Sequence, residues 1–289
     1  MRCACIDIGS NTTRLLVADV AGSTLAPVVE RRAFTRLGRT CVDGAPLPAA
    51  SFAALAEVVG AQTGEARALG ARGLRVVATA ALRRAADGAR ACRRLSRAAG
   101  APVELLSEQD EARLAFAGAT RELGPACEEP VAVVDVGGGS VQLVVGTCAG
   151  GVTWSASLPL GSGDLAAAHL AGDPPAAAEL DALRAVAVRT LAAVRPPPVA
   201  RALAVGGSAT SLRRLAGPRL DADSLARALG ALVAAPAATV AAETRIAPER
   251  VRLLPAGLTV LAAVVEQLGP LEIARGGLRE GVLRELAAT

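Results

Sequence analysis

No lysine and no tyrosine occur in these 289 residues, and histidine, methionine and tryptophan occur once each. All 31 basic side chains are therefore arginine. Three Phe and the single Trp are too few for the aromatic platforms on which single strands of nucleic acid stack. The expected partners therefore include no nucleic acid. A lone histidine, His169, and the absence of any C-x-x-C pair leave no zinc-ligand set. No charged segment followed by an apolar run opens the chain. The longest weakly polar stretch, Ala228 to Ala242, is broken by Pro236 and falls short of the ~20 residues that span a bilayer. The expectation is a soluble protein with no membrane partner. Six scattered cysteines, at 3, 5, 41, 92, 127 and 148, read as thiols in a reducing, cytoplasmic setting.

What is present suits an anion. The net charge is +4 and the pI about 9.0, and a guanidinium fork offers phosphate two parallel hydrogen bonds. Hydrophobic residues make up 52% of the chain, and its length gives one large domain or two ordinary ones, each with its own core.

An internal repeat favours two. Residues 4–18 read A-C-I-D-I-G-S-N-T-T-R-L-L-V-A, and residues 132–146 read A-V-V-D-V-G-G-G-S-V-Q-L-V-V-G. Asp7 aligns with Asp135, Gly9 with Gly137 and Leu15 with Leu143. Each copy is an apolar strand ending in Asp, a small turn and a second apolar strand. This differs from the strand–loop–helix of a P-loop. Between and after the copies, helices alternate with strands. Helices are predicted over 51–69, 83–99, 108–122 and 176–194, with a last one from about Leu278. Further strands are predicted over 74–79, 103–106, 152–158, 201–205 and 271–274. Alternation of this kind gives an α/β layered fold. The domain boundary is placed near Gly124 to Glu129, giving domains 1–124 and 125–289, with the last helix packing back on the first.

Candidate sites follow from the turns. Gly9-Ser10-Asn11-Thr12 and Gly137-Gly138-Gly139-Ser140 carry small side chains or none, so backbone N–H groups can converge on an anion. A single such turn is as readily a tight hairpin; two matched turns, each preceded by an Asp that suits Mg²⁺, point to phosphate. Ser107 caps a helix with Asp110 in the capping-box position. A carboxylate in that first turn can stay ionised and activate water, although acidic first turns are also common for capping alone. Arg83 follows a strand at a helix start and can reach a phosphate. Gly206-Gly207-Ser208 opens another helix after a strand, a weaker anion site by itself.

The motifs Ile6-Asp7-Ile8-Gly9-Ser10-Asn11-Thr12, Ala78-Thr79-Ala80-Ala81-Leu82-Arg83, Asp110-Glu111-Ala112-Arg113, Val134-Asp135-Val136-Gly137-Gly138-Gly139-Ser140 and Gly276-Gly277-Leu278-Arg279-Glu280-Gly281 occur in that order. Together with Ser157-Leu158-Pro159-Leu160-Gly161 and Val205-Gly206-Gly207-Ser208, this set resembles the exopolyphosphatase / guanosine pentaphosphate phosphohydrolase family over nearly the whole chain. The resemblance implies two actin-like (ribonuclease H-like) α/β domains with an interdomain cleft. It implies Glu111 as catalytic base and Arg83 with both glycine turns as phosphate ligands. Asp135, with Asp7, would bind Mg²⁺. The substrate would be inorganic polyphosphate or a polyphosphorylated guanosine nucleotide, and a homodimer is compatible with the family. Larger members carry an additional helical region, so short polyphosphates are the expected preference here. The chain departs from the family at Gln142, where a Glu is usual, at Asp87, where Asn is frequent, and at Glu108, where Gly is common. The neutral Gln142 amide raises two other readings, weakened metal use and a non-catalytic sensor. A phosphotransferase of the same fold is disfavoured by Asp110-Glu111-Ala112-Arg113.

Overall fold

The computed structural model describes residues 1–22, 24–41, 43–124 and 127–288. The chain divides into two units, Met1–Gly124 with Gly276–Thr289, and Pro125–Arg275. Within the expected boundary region, Pro125 and Ala126 lie outside the described residues. The segment from Gly276 onward belongs with the first unit.

In the first unit the strands are β1 (Arg2–Ile8), β2 (Thr13–Ala21), β3 (Thr24–Ala33), β4 (Gly73–Ala78) and β5 (Val103–Leu105). They form one sheet in the order β3-β2-β1-β4-β5. Helices α1 (Leu37–Thr40), α2 (Ala49–Ala68), α3 (Ala80–Arg84), α4 (Gly88–Ala99) and α5 (Glu108–Ala119) accompany it. The second unit has β6 (Val131–Val136), β7 (Val141–Thr147) and β8 (Gly151–Leu158), then α6 (Ser162–His169) and α7 (Ala177–Ala192). It continues with β9 (Arg201–Val205), α8 (Gly206–Ala216), β10 (Arg219–Leu220), α9 (Ala222–Val233), α10 (Ala237–Thr244), α11 (Pro248–Val251), α12 (Leu254–Leu268) and β11 (Leu271–Ile273). Its sheet runs β10-β11-β9-β6-β7-β8. The last helix, α13 (Leu278–Ala288), returns to the first unit.

Both units thus share an antiparallel hairpin and third strand on one side and parallel strands on the other, which is the actin-like arrangement the sequence resemblance implies. The repeat holds to the residue. Asp7 pairs across the hairpin with Arg14, and Asp135 with Gln142. The next strand pairs carry a register shift at Val17/Ala18 in one unit and at Val145/Gly146 in the other. A bulge at the same place bends both sheets alike.

The central strands are apolar because both faces are covered. Ile6, Ile8, Leu15 and Leu16 are fully buried in the first unit, as are Val133, Val134, Leu143 and Val144 in the second. Each such side chain contributes about 1.5–3 kcal/mol when withdrawn from water. The helical stretch Pro248–Leu268 is long and apolar enough to cross a membrane by length and composition, but 67% of its 18-residue apolar window is buried inside the protein. It is longer than the 228–242 stretch singled out from sequence.

The helix predicted over 83–99 is two helices. Ala85 is extended, and a Cβ on Gly88 would fall 2.9 Å from the Leu82 carbonyl carbon. The glycine lets the chain fold back on its own preceding turn. Asp87, in the break, accepts a hydrogen bond from the Leu47 amide at 2.7 Å, and the Gly44 amide donates to the Arg84 carbonyl at 3.0 Å. Gly100 ends α4 in the left-handed region at φ 59°.

Candidate active site

In the first unit, β1 carries Asp7 next to its end, two residues before Gly9 of the turn. The turn closes with the Gly9 amide donating to the Thr12 carbonyl at 3.0 Å. Its other carbonyls are taken from behind: Ser10 accepts from the Gly38 amide at 2.7 Å and Asn11 from the Arg36 amide at 3.0 Å. Arg36 adopts φ 50°, a left-handed conformation uncommon for a side-chain-bearing residue. Ser10 and Thr12 are buried. Ser10 Oγ and Asn11 Nδ2 are shielded from solvent with no hydrogen-bond partner. Buried donors of this kind cost free energy unless a ligand meets them.

Glu111 stands in the first turn of α5. Ser107 Oγ accepts from the Asp110 amide at 3.0 Å and caps that helix as expected. The reciprocal half of the box differs: the Asp110 carboxylate accepts from Ser107 Oγ at 2.6 Å rather than from its backbone. Glu111 is 8% exposed. Arg83 Nη1 donates to its Oε2 at 2.6 Å and to the Leu106 carbonyl at 3.0 Å. Arg83 Nη2 is buried and has no partner. Arg83 lies in the last turn of the short helix α3, not at a helix start, because the predicted long helix is broken after Arg84. Burial pushes the Glu111 carboxyl above the ordinary glutamate range; Arg83 opposes the rise, and Asp7 and Glu108 add to it. Burial likewise pushes Asp7 up, opposed by Arg14 and Arg279 and assisted by Glu280.

The second unit repeats the turn with glycines. The Gly137 amide donates to the Ser140 carbonyl at 3.0 Å. The Gly137 carbonyl accepts from the Ser162 amide at 2.9 Å and from Ser162 Oγ at 3.0 Å. The Gly138 carbonyl accepts from the Gly163 amide at 2.9 Å and the Asp164 amide at 3.1 Å. As in the first unit, the segment after the third strand holds the turn by its carbonyls. A Cβ on Gly161 would fall well inside van der Waals contact of the Gly138–Gly139 backbone, so the end of Ser157–Gly161 is a close-packed support for the turn.

Gly206, at φ 86°, lies against Asp135, and a Cβ there would meet the Val136 carbonyl oxygen at 3.0 Å. Ser208 is fully buried and its Oγ has no partner. Asp135, the 137–140 turn and the 206–208 helix start are thereby gathered in this unit. Asp7, the 9–12 turn, Arg83 and Glu111 belong to the first.

Three features escaped the sequence reading. Buried Arg250 packs its guanidinium on Gly207, Ser162 braces the glycine turn, and Leu106 shares Arg83 through its carbonyl. Only the double glycine, which signals close approach at Gly207, could have hinted at the first. Gln142 is 2% exposed and its Nε2 donates to Ser157 Oγ at 3.1 Å. Among the described residues, no three His, Cys, Asp or Glu side chains are grouped to hold a metal. The hard carboxylate oxygens of Asp7 and Asp135 nevertheless suit Mg²⁺, an ion bound by one or two carboxylates with phosphate and water completing its shell.

The model of the Ppx/GppA phosphatase family matches residues 15–289. Exopolyphosphatase 1 of Mycobacterium leprae is 31% identical over 312 residues, covering 99% of this chain and 90% of that protein. An uncharacterized Streptomyces coelicolor protein is 35% identical over 187 residues, with the match spanning 55% of its length. The crystal structure of the Aquifex aeolicus Ppx/GppA family member aligns with a TM-score of 0.82 at 27% identity, covering 100% of this chain and 98% of that one. With the motif set, the doubled fold and the family match in agreement, the chain belongs to the Ppx/GppA phosphatase family.

Proposed function

We propose that this phosphatase removes the terminal phosphate of inorganic polyphosphate, acting first on short chains. The observation that carries the reading is the Arg83–Glu111 pair: guanidinium Nη1 holds the carboxylate at 2.6 Å, while Nη2 is buried and unpartnered. Arg83 then orients the base with Nη1 and offers Nη2 to the terminal phosphate. Water attacks the end phosphorus, Glu111 takes a proton from it, and the bond to the bridging oxygen breaks. The products are orthophosphate and a chain one unit shorter; the proton passes from Glu111 to solvent. A positioned base of this kind contributes ~10²–10⁴-fold. In the first unit, the buried donors Ser10 and Asn11, with the 9–12 turn, would supply hydrogen bonds where charge gathers on the phosphoryl oxygens; Ser208 and the 137–140 turn offer donors of the same kind in the second unit. Mg²⁺, when bound, would neutralise phosphate charge; Asp7 is the residue suited to hold it in the first unit and Asp135 in the second.

A cytoplasmic setting fits six free thiols, four of them buried. Burial pushes the Cys92 thiol up to about 11, so it stays protonated and unreactive at neutral pH.

The test is phosphate release from tripolyphosphate, long polyphosphate and guanosine pentaphosphate, each with and without Mg²⁺, by the wild type and by Glu111→Gln. The expected outcome is Mg²⁺-dependent release from tripolyphosphate, lost by ~10²-fold or more in the variant while binding persists. Release from guanosine pentaphosphate alone would transfer the reading to that nucleotide. Binding without release from any of the three would make the protein a sensor, the alternative that Gln142 raises.

A further inference from the structure

The structure assigns the final helix, α13, a catalytic positioning role: its Gly281, with Gly276 and Gly277 just before its start, forms the seat on which the Glu111 helix, α5, is held. This rests on Glu111 being the base. The two helices meet backbone to backbone. A Cβ on Gly118 of α5 would lie 2.8 Å from the Gly281 amide nitrogen and nearer still to the Gly277 carbonyl oxygen. A Cβ on Gly281 of α13 would lie 2.8 Å from the Leu114 carbonyl carbon and nearer still to its oxygen. A Cβ on Gly276 would press on the Gly118 carbonyl, 3.2 Å from its carbon. Space for a methyl group exists on neither side, so any side chain here must move one helix against the other.

Polar contacts fix the register along the seam. Arg284 Nη1 donates to the Ala117 carbonyl at 2.8 Å. Glu285 binds Arg113, two residues past Glu111 on α5, and also accepts from Arg75 Nη1 on β4 at 2.7 Å. The Gly277 amide donates to Glu280 at 2.8 Å, holding the start of α13 in place. Glu111 lies within one turn of Leu114, whose carbonyl meets Gly281, so a shift at the seam is carried to the carboxylate through one rigid helix. The 2.6 Å contact with Arg83 sets the scale: a displacement near 1 Å breaks it, and misplacement of that order costs ~10²-fold in rate.

The experiment compares Gly281→Ala, Gly118→Ala, their double variant and Arg284→Gln in the full chain, with Gly64→Ala, where nothing lies within 4 Å, as control. Steady-state kinetics on tripolyphosphate are paired with amide exchange of residues 108–119. The expected result is a kcat lowered ~10–10²-fold in each glycine variant and several-fold in Arg284→Gln. KM should stay within about twofold, because phosphate donors outside α5 are untouched. The double variant should lose less than the product of the singles, since one methyl already opens the seam for the other. Exchange over 108–119 should rise in step. Folded variants with unchanged kcat, or losses that multiply, overturn the inference, and Arg284→Gln keeps it testable if the glycine variants fail to fold. Should the wild type release no phosphate from any polyphosphate, the functional reading fails separately. Unchanged exchange over 108–119 would still overturn the seat itself.

Discussion

At the scale of single residues, the site is organised by shared guanidinium and amide groups. Arg83 divides its nitrogens between Glu111, the Leu106 carbonyl and an open position. Because burial raises the Glu111 carboxyl and Arg83 restrains that rise, the acidic limb of the pH–kcat profile should lie above the ordinary glutamate range. Replacing Arg83 by Gln removes the restraining charge, so the limb should move to still higher pH as KM rises. A limb that stays in place, or moves to lower pH, would show that Arg83 does not act on the base. Gln142 makes the second residue-scale case. It stands between Asp135 on one neighbouring strand and Ser157 on the other, so Gln142→Glu puts a second carboxylate beside the first. That carboxylate is buried, and without a cation it is costly. The variant should melt at lower temperature in chelator than in Mg²⁺ with tripolyphosphate, and should need less Mg²⁺ for half-maximal rate. A Mg²⁺ titration that is unchanged or shifted upward would count against it.

Elements hold the turns in shape by close backbone packing. The turn at 137–140 is gripped by its carbonyls from the start of α6, and Gly161 fills the only space a hydrogen can occupy there. Gly161→Ala should cost about 1–3 kcal/mol in overpacking and displace the turn. Binding of tripolyphosphate should weaken by roughly tenfold, which corresponds to ~1.4 kcal/mol. Calorimetric titration of the folded variant gives the answer, and an unchanged Kd would remove this turn from the phosphate site. The cap on α5 is a smaller matter: Ser107→Ala forfeits the hydrogen bonds to the Asp110 amide and carboxylate, about 1 kcal/mol of stability.

For the molecule as a whole, the donors named above belong to two hairpin turns, one helix start and Arg83. On the proposed function, each of these groups of donors would meet the end of a polyphosphate rather than its length. Retention of a long polymer then falls to exposed arginines, whose attraction is screened within about 8–10 Å at physiological salt. Product sizing during hydrolysis of a long labelled chain should show a gradually shortening population, more so as ionic strength rises. Only full-length chain and free phosphate at physiological salt, with long chains cleaved faster than short ones, would refute this.

The amino-acid sequence alone specified the doubled hairpin, the alignment of its two copies and the identity of the turn residues. Those features are local: alternation, apolar runs and small turn residues are written in consecutive positions, and Asp7 and Asp135 keep the same cross-strand place in both copies. It also placed Ser107 as the cap of the Glu111 helix, because capping needs only residues three apart. The break at Ala85–Asp87 was not legible, since it depends on Gly88 meeting the Leu82 carbonyl and on Asp87 meeting Leu47, 40 residues away. Nor was the grip of Arg83 on Glu111, 28 residues apart. The seating of α5 on a helix more than 150 residues downstream was equally hidden. Glycines there look like any others in the sequence, and only tertiary packing, by bringing two backbones to where no side chain fits, decides which of them matter.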